Sequence, residues 1–431
     1  MSLWFYAYAN LQYLWLLLFS CLIGWLLSCL PEKIFSEKGK KVLTGVGCVF
    51  HLGLLGYFKY SNFFLENLNT VFHTNFPMLQ ILLPVGISFY TFQQLAYLID
   101  RCRGDAPRDS FFDYLTFMVY FPQLLQGPIL LRSEFMGQLK EPERRRFHAE
   151  RFSEGIQFFV FGLAKKVLLA DTLAKAVNYG YSNVSMLDSI SALLLAVGYL
   201  TELYFDFSGY CDMAVGLGKM IGLEVAENFD APFHSASVKE FWRRWHMTLG
   251  RFFTRYVYIP LGGNRRGKMR TLCNVMIVML LSGLWHGAAW TFVLWGFLHG
   301  VGMIWDNLEH PHLPKKWMRQ AATFAYVCMT FVFFRAESIA QGIDVLKSIV
   351  SLKWNGFVFQ MASALDMTEC YMITKALSMK LPGLLSWFWL GIFVVLIAIC
   401  FRVLSGEKVS GVVALQRQKG LSLIHISEPT R

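Results

Sequence analysis

Apolar runs close to the length of a bilayer crossing recur along the chain, at 11–30, 42–64, 78–99, 111–131, 153–174, 189–207, 272–285, 288–305, 320–334 and 383–404, with short polar blocks between them. A helix needs about 20 apolar residues to cross a hydrocarbon core about 30 Å thick. The pattern therefore predicts an all-α, polytopic integral membrane protein with about nine to eleven spanning or re-entrant helices.

The polar blocks orient these spans. Residues 32–42 (EKIFSEKGKKV) hold four lysines, 66–77 (ENLNTVFHTNFP) hold no Lys or Arg, and 101–108 (RCRGDAPR) hold three arginines. Cytoplasmic loops are enriched in Lys and Arg, so 42–64 leaves the cytoplasm and 78–99 returns to it. The run 111–131 should then exit, yet Arg132, Lys140, Arg144, Arg145, Arg146 and Arg151 follow it. Pro122, Gly127 and Pro128 predict a broken helix that dips in and returns to the same side.

Composition agrees with this picture. Of 431 residues, 55% are hydrophobic and 16% charged, where soluble domains carry about 25% charged residues. The net charge of +11 sits in blocks between apolar segments, which suits cytoplasmic loops and not a nucleic-acid stripe. Nine cysteines are scattered without a CxxC, so neither a disulfide framework nor a metal site is expected. No cleavable signal is visible at the N-terminus. Residues 1–420 are expected to form a single membrane domain. The last eleven residues, LSLIHISEPTR (421–431), look like a translated sequencing adaptor and are set aside with His425; the natural C-terminus is then expected to be missing.

Three stretches could carry chemistry. In SGLWHGAAWTFVLWGFLHG (282–300), His286 and His299 are 13 residues apart, roughly 220° around and about 19 Å along one straight helix, so they cannot share an ion there. His286 has small neighbours in Ser282, Gly283, Gly287 and Ala288, which let a backbone or ligand come close. Two readings stay open: a general base for a hydroxyl nucleophile, or a histidine bridging two helices.

In EFWRRWHMTLGRFFTRYVYIPLGGNRRGKMR (240–270), helical spacing would pair Glu240 with Arg244, Phe241 with Trp245 and Trp242 with His246. The density of Trp, Tyr and Arg suits an interfacial or re-entrant segment. Arg243, Arg244, Arg251, Asn264 and Arg265 form either an anchored amphipathic face or a cytoplasmic phosphate site, since guanidinium forks suit phosphate. In TELYFDFSGYCDMAVGLGKMIGL (201–223), Glu202, Asp206 and Tyr210 share one helix stripe. The arginines of 243–255 are the expected partners of its carboxylates, and Ser208, Gly209, Gly216, Gly218 and Gly222 are expected to allow tight packing.

The phrases LLPVGISFYTFQ (82–93), YFPQLLQGPI (120–129), YFDFSGYCDMAVGLGKMIG (204–222), EFWRRWHMTLGRFF (240–253), YIPLGGNRRG (258–267) and SGLWHGAAWTFVLWGFLHG (282–300) resemble the membrane-bound O-acyltransferase family. They are similar to its alginate O-acetylase branch in particular. The resemblance implies helices around a central tunnel that carries an acyl group from a cytoplasmic thioester to a hydroxyl at or beyond the far face. It assigns His286 as the catalytic histidine and His246, 40 residues earlier, as its partner; His299 is expected to be structural. Arg243, Arg244, Asn264 and Arg265 become candidate contacts to the donor's phosphates.

No bound cofactor or metal is implied; acetyl-CoA or another acyl thioester is the donor substrate. The acceptor is an exported polysaccharide such as alginate or a cell-wall glycan, or an extracytoplasmic acetyltransferase partner. The expected location is the cytoplasmic membrane, in contact with lipid and not with nucleic acid. The N-terminus resembles the family one helix in, so an upstream helix is expected to be missing. A teichoic-acid D-alanyl transfer protein is the nearest alternative. A transporter using the same ionisable groups as a proton path is a second, and it finds no support in internal repeats.

Overall fold

The computed structural model describes residues 2–30, 36–308, 313–365, 367 and 370–405. The tail 421–431 and most of the polar start of block 32–42 lie outside the described residues. Among the described residues all regular structure is helical, and each apolar run contributes to a helix. Among the described residues, four helices are long and apolar enough to cross a membrane: Leu11–Cys29, Glu37–Phe72, Ser189–Met220 and Lys268–His286. Trp290–Asn307, Lys316–Arg335 and Pro382–Ser405 account for the later runs. The protein is a multi-pass, all-α membrane protein.

Two runs depart from a simple span. The run 78–99 becomes helical only at Ile87, because Pro77 and Pro84 disfavour helix for the residues before them. The extended stretch ahead of it is held by side chains: Asn62 exchanges two hydrogen bonds with the Leu79 backbone at 2.8 and 2.9 Å, and the Tyr13 hydroxyl donates to the Leu82 carbonyl at 2.6 Å. Irregular backbone at membrane depth needs such partners. The run 111–131 breaks as expected, into Phe111–Met118 and Phe121–Leu124. Beyond the break Ile129 donates its N–H to Thr248 Oγ1 at 3.0 Å and its carbonyl accepts from Arg251 at 3.2 Å.

The chain divides into two compact units. One comprises Met1–Phe152, Leu217–Ala226 and Thr248–Ala289; the other comprises Ser153–Gly216, Glu227–Met247 and Trp290–Arg431. The first has an aromatic core in which Phe92 stacks on Phe252 at 4.2 Å and on Trp285 at 5.4 Å. The second buries Trp295, Phe331, Phe241 and Trp245 in one cluster.

In the second unit, the parts it holds of the helices Ala149–Ala164 and Ser189–Met220 meet along glycines. A methyl group on Gly209 would lie 2.7 Å from the Gly162 carbonyl oxygen, and one on Gly216 would lie 2.5 Å from that of Gly155. Gly209 and Gly216 thus allow the tight packing expected of them. The seam also settles the carboxylates. Just past Gly162 a π-helical turn, Lys165–Ala170, sets Lys165 on Asp212 at 2.5 Å and Lys166 on Asp206 and Asp171 at 2.5 and 2.7 Å. Three of the arginines expected as partners are engaged elsewhere, Arg244 with Glu240 at 2.9 Å, Arg251 with Glu134, and Arg255 with Asp100 and Asp105 at 2.9 Å each, and Arg243 is exposed. Glu202 Oε2 is buried and accepts no hydrogen bond among the described residues.

Candidate active site

His286 is the last residue of the helix Lys268–His286, and Gly287 follows in extended conformation (φ −159°, ψ 151°). The next helix starts at Trp290, so His286 and His299 never share one straight helix. Ser282, Gly283 and Gly287 are buried while His286 itself is half-buried. The small residues therefore bring the chain close, and the imidazole keeps some access. Its ring lies 4.9 Å from that of Trp285, which in turn packs against Phe89 at 5.2 Å.

The carbonyls at this helix end are filled from one place. Tyr60 donates its hydroxyl to the Leu284 carbonyl at 2.5 Å. Lys59 donates to the Trp285 carbonyl, and its Nζ is 3.4 Å from that of His286 and 3.2 Å from Ser88 Oγ. Lys59 and Tyr60 close a π-helical turn, Gly56–Tyr60, within the long helix Glu37–Phe72. Counting 42–64 as one apolar run passed over them, although a lysine inside such a run is itself a signal of function.

His246 lies in the second unit, just past the helix Val238–Arg244. It is buried, and its backbone is left-handed (φ 46°), a conformation rare for a residue other than glycine. Flanking main-chain bonds hold it there: Asp230 N–H to the Arg244 carbonyl at 2.9 Å and Met247 N–H to that of Asn228 at 3.0 Å. Nδ1 lies 3.2 Å from Asn228 Oδ1, while the Asn228 amide nitrogen donates to Cys211 Sγ at 3.4 Å. Because Oδ1 can only accept, Nδ1 carries the proton and Nε2 the lone pair.

Burial pushes the His246 imidazole from its ordinary 6.5 down to about 3, so the ring is neutral near neutral pH. The unfolded chain gains a proton below about pH 6.5 that the folded chain refuses. His246 therefore contributes stability above that pH, and the contribution is lost as pH falls through the window down to about 3. Thermal unfolding of detergent-solubilised protein is expected to shift to lower temperature between about pH 7 and about pH 5, and to shift less in His246→Asn. Equal shifts in both proteins would contradict it.

The neighbours of His246 fall partly as expected. Glu240 pairs with Arg244, and Phe241 stacks on Trp245 at 5.3 Å. The helix ends at Arg244, so Trp242 and His246 do not share the helical turn expected of them. Instead Trp242 Nε1 donates to His299 Nδ1 at 3.2 Å, and His299 Nε2 bonds Thr330 Oγ1 at 2.9 Å. With the Thr330 hydroxyl donating to the Val327 carbonyl at 2.8 Å, its oxygen accepts from Nε2–H. Both His299 nitrogens are thus engaged within the second unit's core, which suits a structural histidine.

The candidate phosphate contacts are distributed. Arg243 is exposed, whereas Arg244 is half-buried and held by Glu240; both lie in the second unit. Asn264 and Arg265 are exposed in the first. They sit on a loop whose Gly262 and Gly263 have φ of 107° and 55°, angles that a side chain would strain. Asn274 anchors this loop from the adjacent helix, donating to the Gly263 carbonyl at 3.0 Å. Such a loop can present a guanidinium and an amide to an anion in water.

Comparison with known proteins extends the sequence resemblance. The family model described as MBOAT, membrane-bound O-acyltransferase family, matches residues 103–340. The peptidoglycan O-acetyltransferase of Helicobacter pylori is 36% identical over 383 residues, covering 81% of this chain and 72% of the relative. The probable alginate O-acetylase AlgI of Pseudomonas putida is 41% identical over 309 residues, covering 69% of this chain and 62% of the relative. The teichoic acid D-alanyltransferase of Streptococcus thermophilus is more distant, 28% identical over 253 residues, covering 56% of this chain and 58% of that protein.

Proposed function

Because the chain belongs to the membrane-bound O-acyltransferase family, we propose that it moves an acetyl group from a cytoplasmic thioester, acetyl-CoA or a related donor, to a hydroxyl of an exported polysaccharide or wall glycan. The observation that carries the reading is His286: a half-buried imidazole at a helix end, flanked by buried small residues, in a chain 36–41% identical to proteins named as O-acetylating enzymes. Identity to the D-alanyl branch is 28%, which favours acetyl over D-alanyl transfer.

In this mechanism His286 takes the proton from the attacking hydroxyl as that oxygen bonds to the thioester carbonyl carbon. The C–S bond then breaks, and the leaving thiolate takes the proton back from the imidazolium. Positioning in a site poor in water supplies much of the remaining acceleration and limits hydrolysis. His246 serves as the second site residue. Arg243, Arg244, Asn264 and Arg265 supply donor-phosphate contacts, and either the glycan itself or an extracytoplasmic acetyltransferase partner receives the acetyl group. Residues 1–420 are taken as one such membrane domain, placed in the cytoplasmic membrane.

The test supplies membranes containing the full chain with radiolabelled acetyl-CoA or with a D-alanyl carrier-protein thioester. Label is expected to reach polysaccharide only from the acetyl donor. Arg265→Ala is expected to raise KM for acetyl-CoA by up to about tenfold, the scale of one lost charge-assisted hydrogen bond. Transfer from the D-alanyl donor alone would sink the acetylase reading.

A further inference from the structure

We propose that Lys59 and Tyr60 are positioning residues for the transfer reaction, clamping the last turn of the helix Lys268–His286 so that the His286 ring is held in register. The inference rests on the reading of His286 as the base, and it adds residues that neither the sequence motifs nor the family resemblance pointed to.

The observation is that three consecutive carbonyls at one helix end meet one partner turn. Leu284 accepts from the Tyr60 hydroxyl at 2.5 Å, Trp285 accepts from the Lys59 ammonium, and the His286 carbonyl lies 3.4 Å from the same nitrogen. The last carbonyls of a helix have no partner within it. In an aqueous protein water would fill them, and such an end frays. Here they are filled by two side chains from a single π-helical turn, Gly56–Tyr60. A π-turn shifts the side-chain register along a helix and recurs at functional sites; here it coincides with two adjacent residues, Lys59 and Tyr60, serving the same helix end.

A charged donor suits this place for a second reason. Helix C-termini carry partial negative charge, which a cation complements, and Lys59 Nζ also lies 5.9 Å from the face of the Trp285 ring. Phe89 and Phe92 pack on the same indole at 5.2 and 5.4 Å, and Ser88 accepts from Lys59 at 3.2 Å. An ionisable group at membrane depth is costly and is retained where it has work to do. Its contacts here are with the main chain of the residue proposed to handle the proton and of that residue's neighbour. Neither Lys59 nor Tyr60 needs to touch substrate. Their effect passes through the backbone of 284–286, and a displacement of about 1 Å in a catalytic group can cost about 100-fold in rate.

The experiment compares full-length protein in membranes carrying Lys59→Met, Lys59→Arg, Tyr60→Phe and His286→Ala, with rates expressed per mole of folded protein measured by size exclusion. Lys59→Met is expected to lower kcat for acetyl transfer by about 10- to 100-fold while KM for acetyl-CoA stays within about twofold. Lys59→Arg, which restores a cation and its donors, is expected to recover most of that loss. Should Lys59→Met yield too little folded protein, Tyr60→Phe carries the test, with a smaller fall in kcat and an unchanged KM.

Wild-type kcat in Lys59→Met or in Tyr60→Phe, a rise in KM alone, or an arginine variant as slow as the methionine variant would each overturn the proposal. His286→Ala separates the two levels. If that variant retains transfer, the base assignment has failed and this inference goes with it. If it is inactive while the Lys59 and Tyr60 variants are kinetically normal, only the positioning role is lost.

Discussion

Replacing His286 with alanine is expected to remove O-acetyl transfer to within background, a fall of about 10²- to 10⁴-fold, the range that a positioned general base contributes. The expectation follows from where the ring sits. It closes a helix, keeps some exposure beside the buried Ser282, Gly283 and Gly287, and its backbone carbonyl has an ammonium 3.4 Å away. Alanine suits the last turn of a helix, so the Lys59 and Tyr60 contacts to the main chain survive the change and the protein should still insert and fold. His299→Gln makes the contrast. That ring is buried and engaged through both nitrogens by Trp242 and Thr330, so its loss should lower the amount of folded protein and leave the rate per folded molecule near normal. The measurement is O-acetyl content of polysaccharide against folded enzyme in the same membranes. Wild-type acetylation in His286→Ala would remove the histidine from the chemistry.

What the chain made legible in advance, and what it hid, divides along local against long-range physics. The membrane helices were readable because the length of an apolar run is set by the bilayer. The break near Pro122 was readable because proline's consequences are local. At 78–86 the apolar composition concealed an extended stretch, whose carbonyls and amides depend on Asn62 and Tyr13, residues that no local window contains. The partner of Asp206 was misassigned to the arginines of 243–255 because guanidinium is the usual choice for a buried carboxylate. The lysine that holds it, Lys166, sits 40 residues earlier and reaches it through helix packing alone. Trp242 was expected beside His246 by helical spacing, and a helix ending at Arg244 sent it to His299 instead. His286 stood out through its small neighbours and the family resemblance. Its support from Lys59 could be seen only once a residue 227 positions away had been folded against it.

The glycine seam of the second unit sets the other large expectation. Gly209→Leu should abolish accumulation of folded, monodisperse protein, and Gly209→Ala should reduce it. Between helices in lipid there is little hydrophobic drive, so close backbone approach and the polar contacts it permits carry the association. Here the first atom of any side chain on Gly209 would meet the Gly162 carbonyl at 2.7 Å, and the next contacts are the Lys165 Cβ and Lys166 backbone nitrogen at 3.2 Å. Two of these three atoms are backbone and cannot rotate away. Separating the helices to relieve the clash would draw Lys165 from Asp212 and Lys166 from Asp206, leaving charges without partners at membrane depth. Overpacking alone typically costs about 1–3 kcal/mol, and the broken pairs add to it, so the sum exceeds what a marginally stable domain tolerates. Gly53→Leu is the control: apart from the neighbouring backbone of its own helix, no heavy atom lies within 4 Å of the position its Cβ would take, and leucine is the better helix former, so that variant should be recovered at wild-type yield. Size-exclusion profiles of detergent extracts, made in parallel, decide the matter. Recovery of Gly209→Leu at the level of Gly53→Leu would mean that the two helices are not held at this separation.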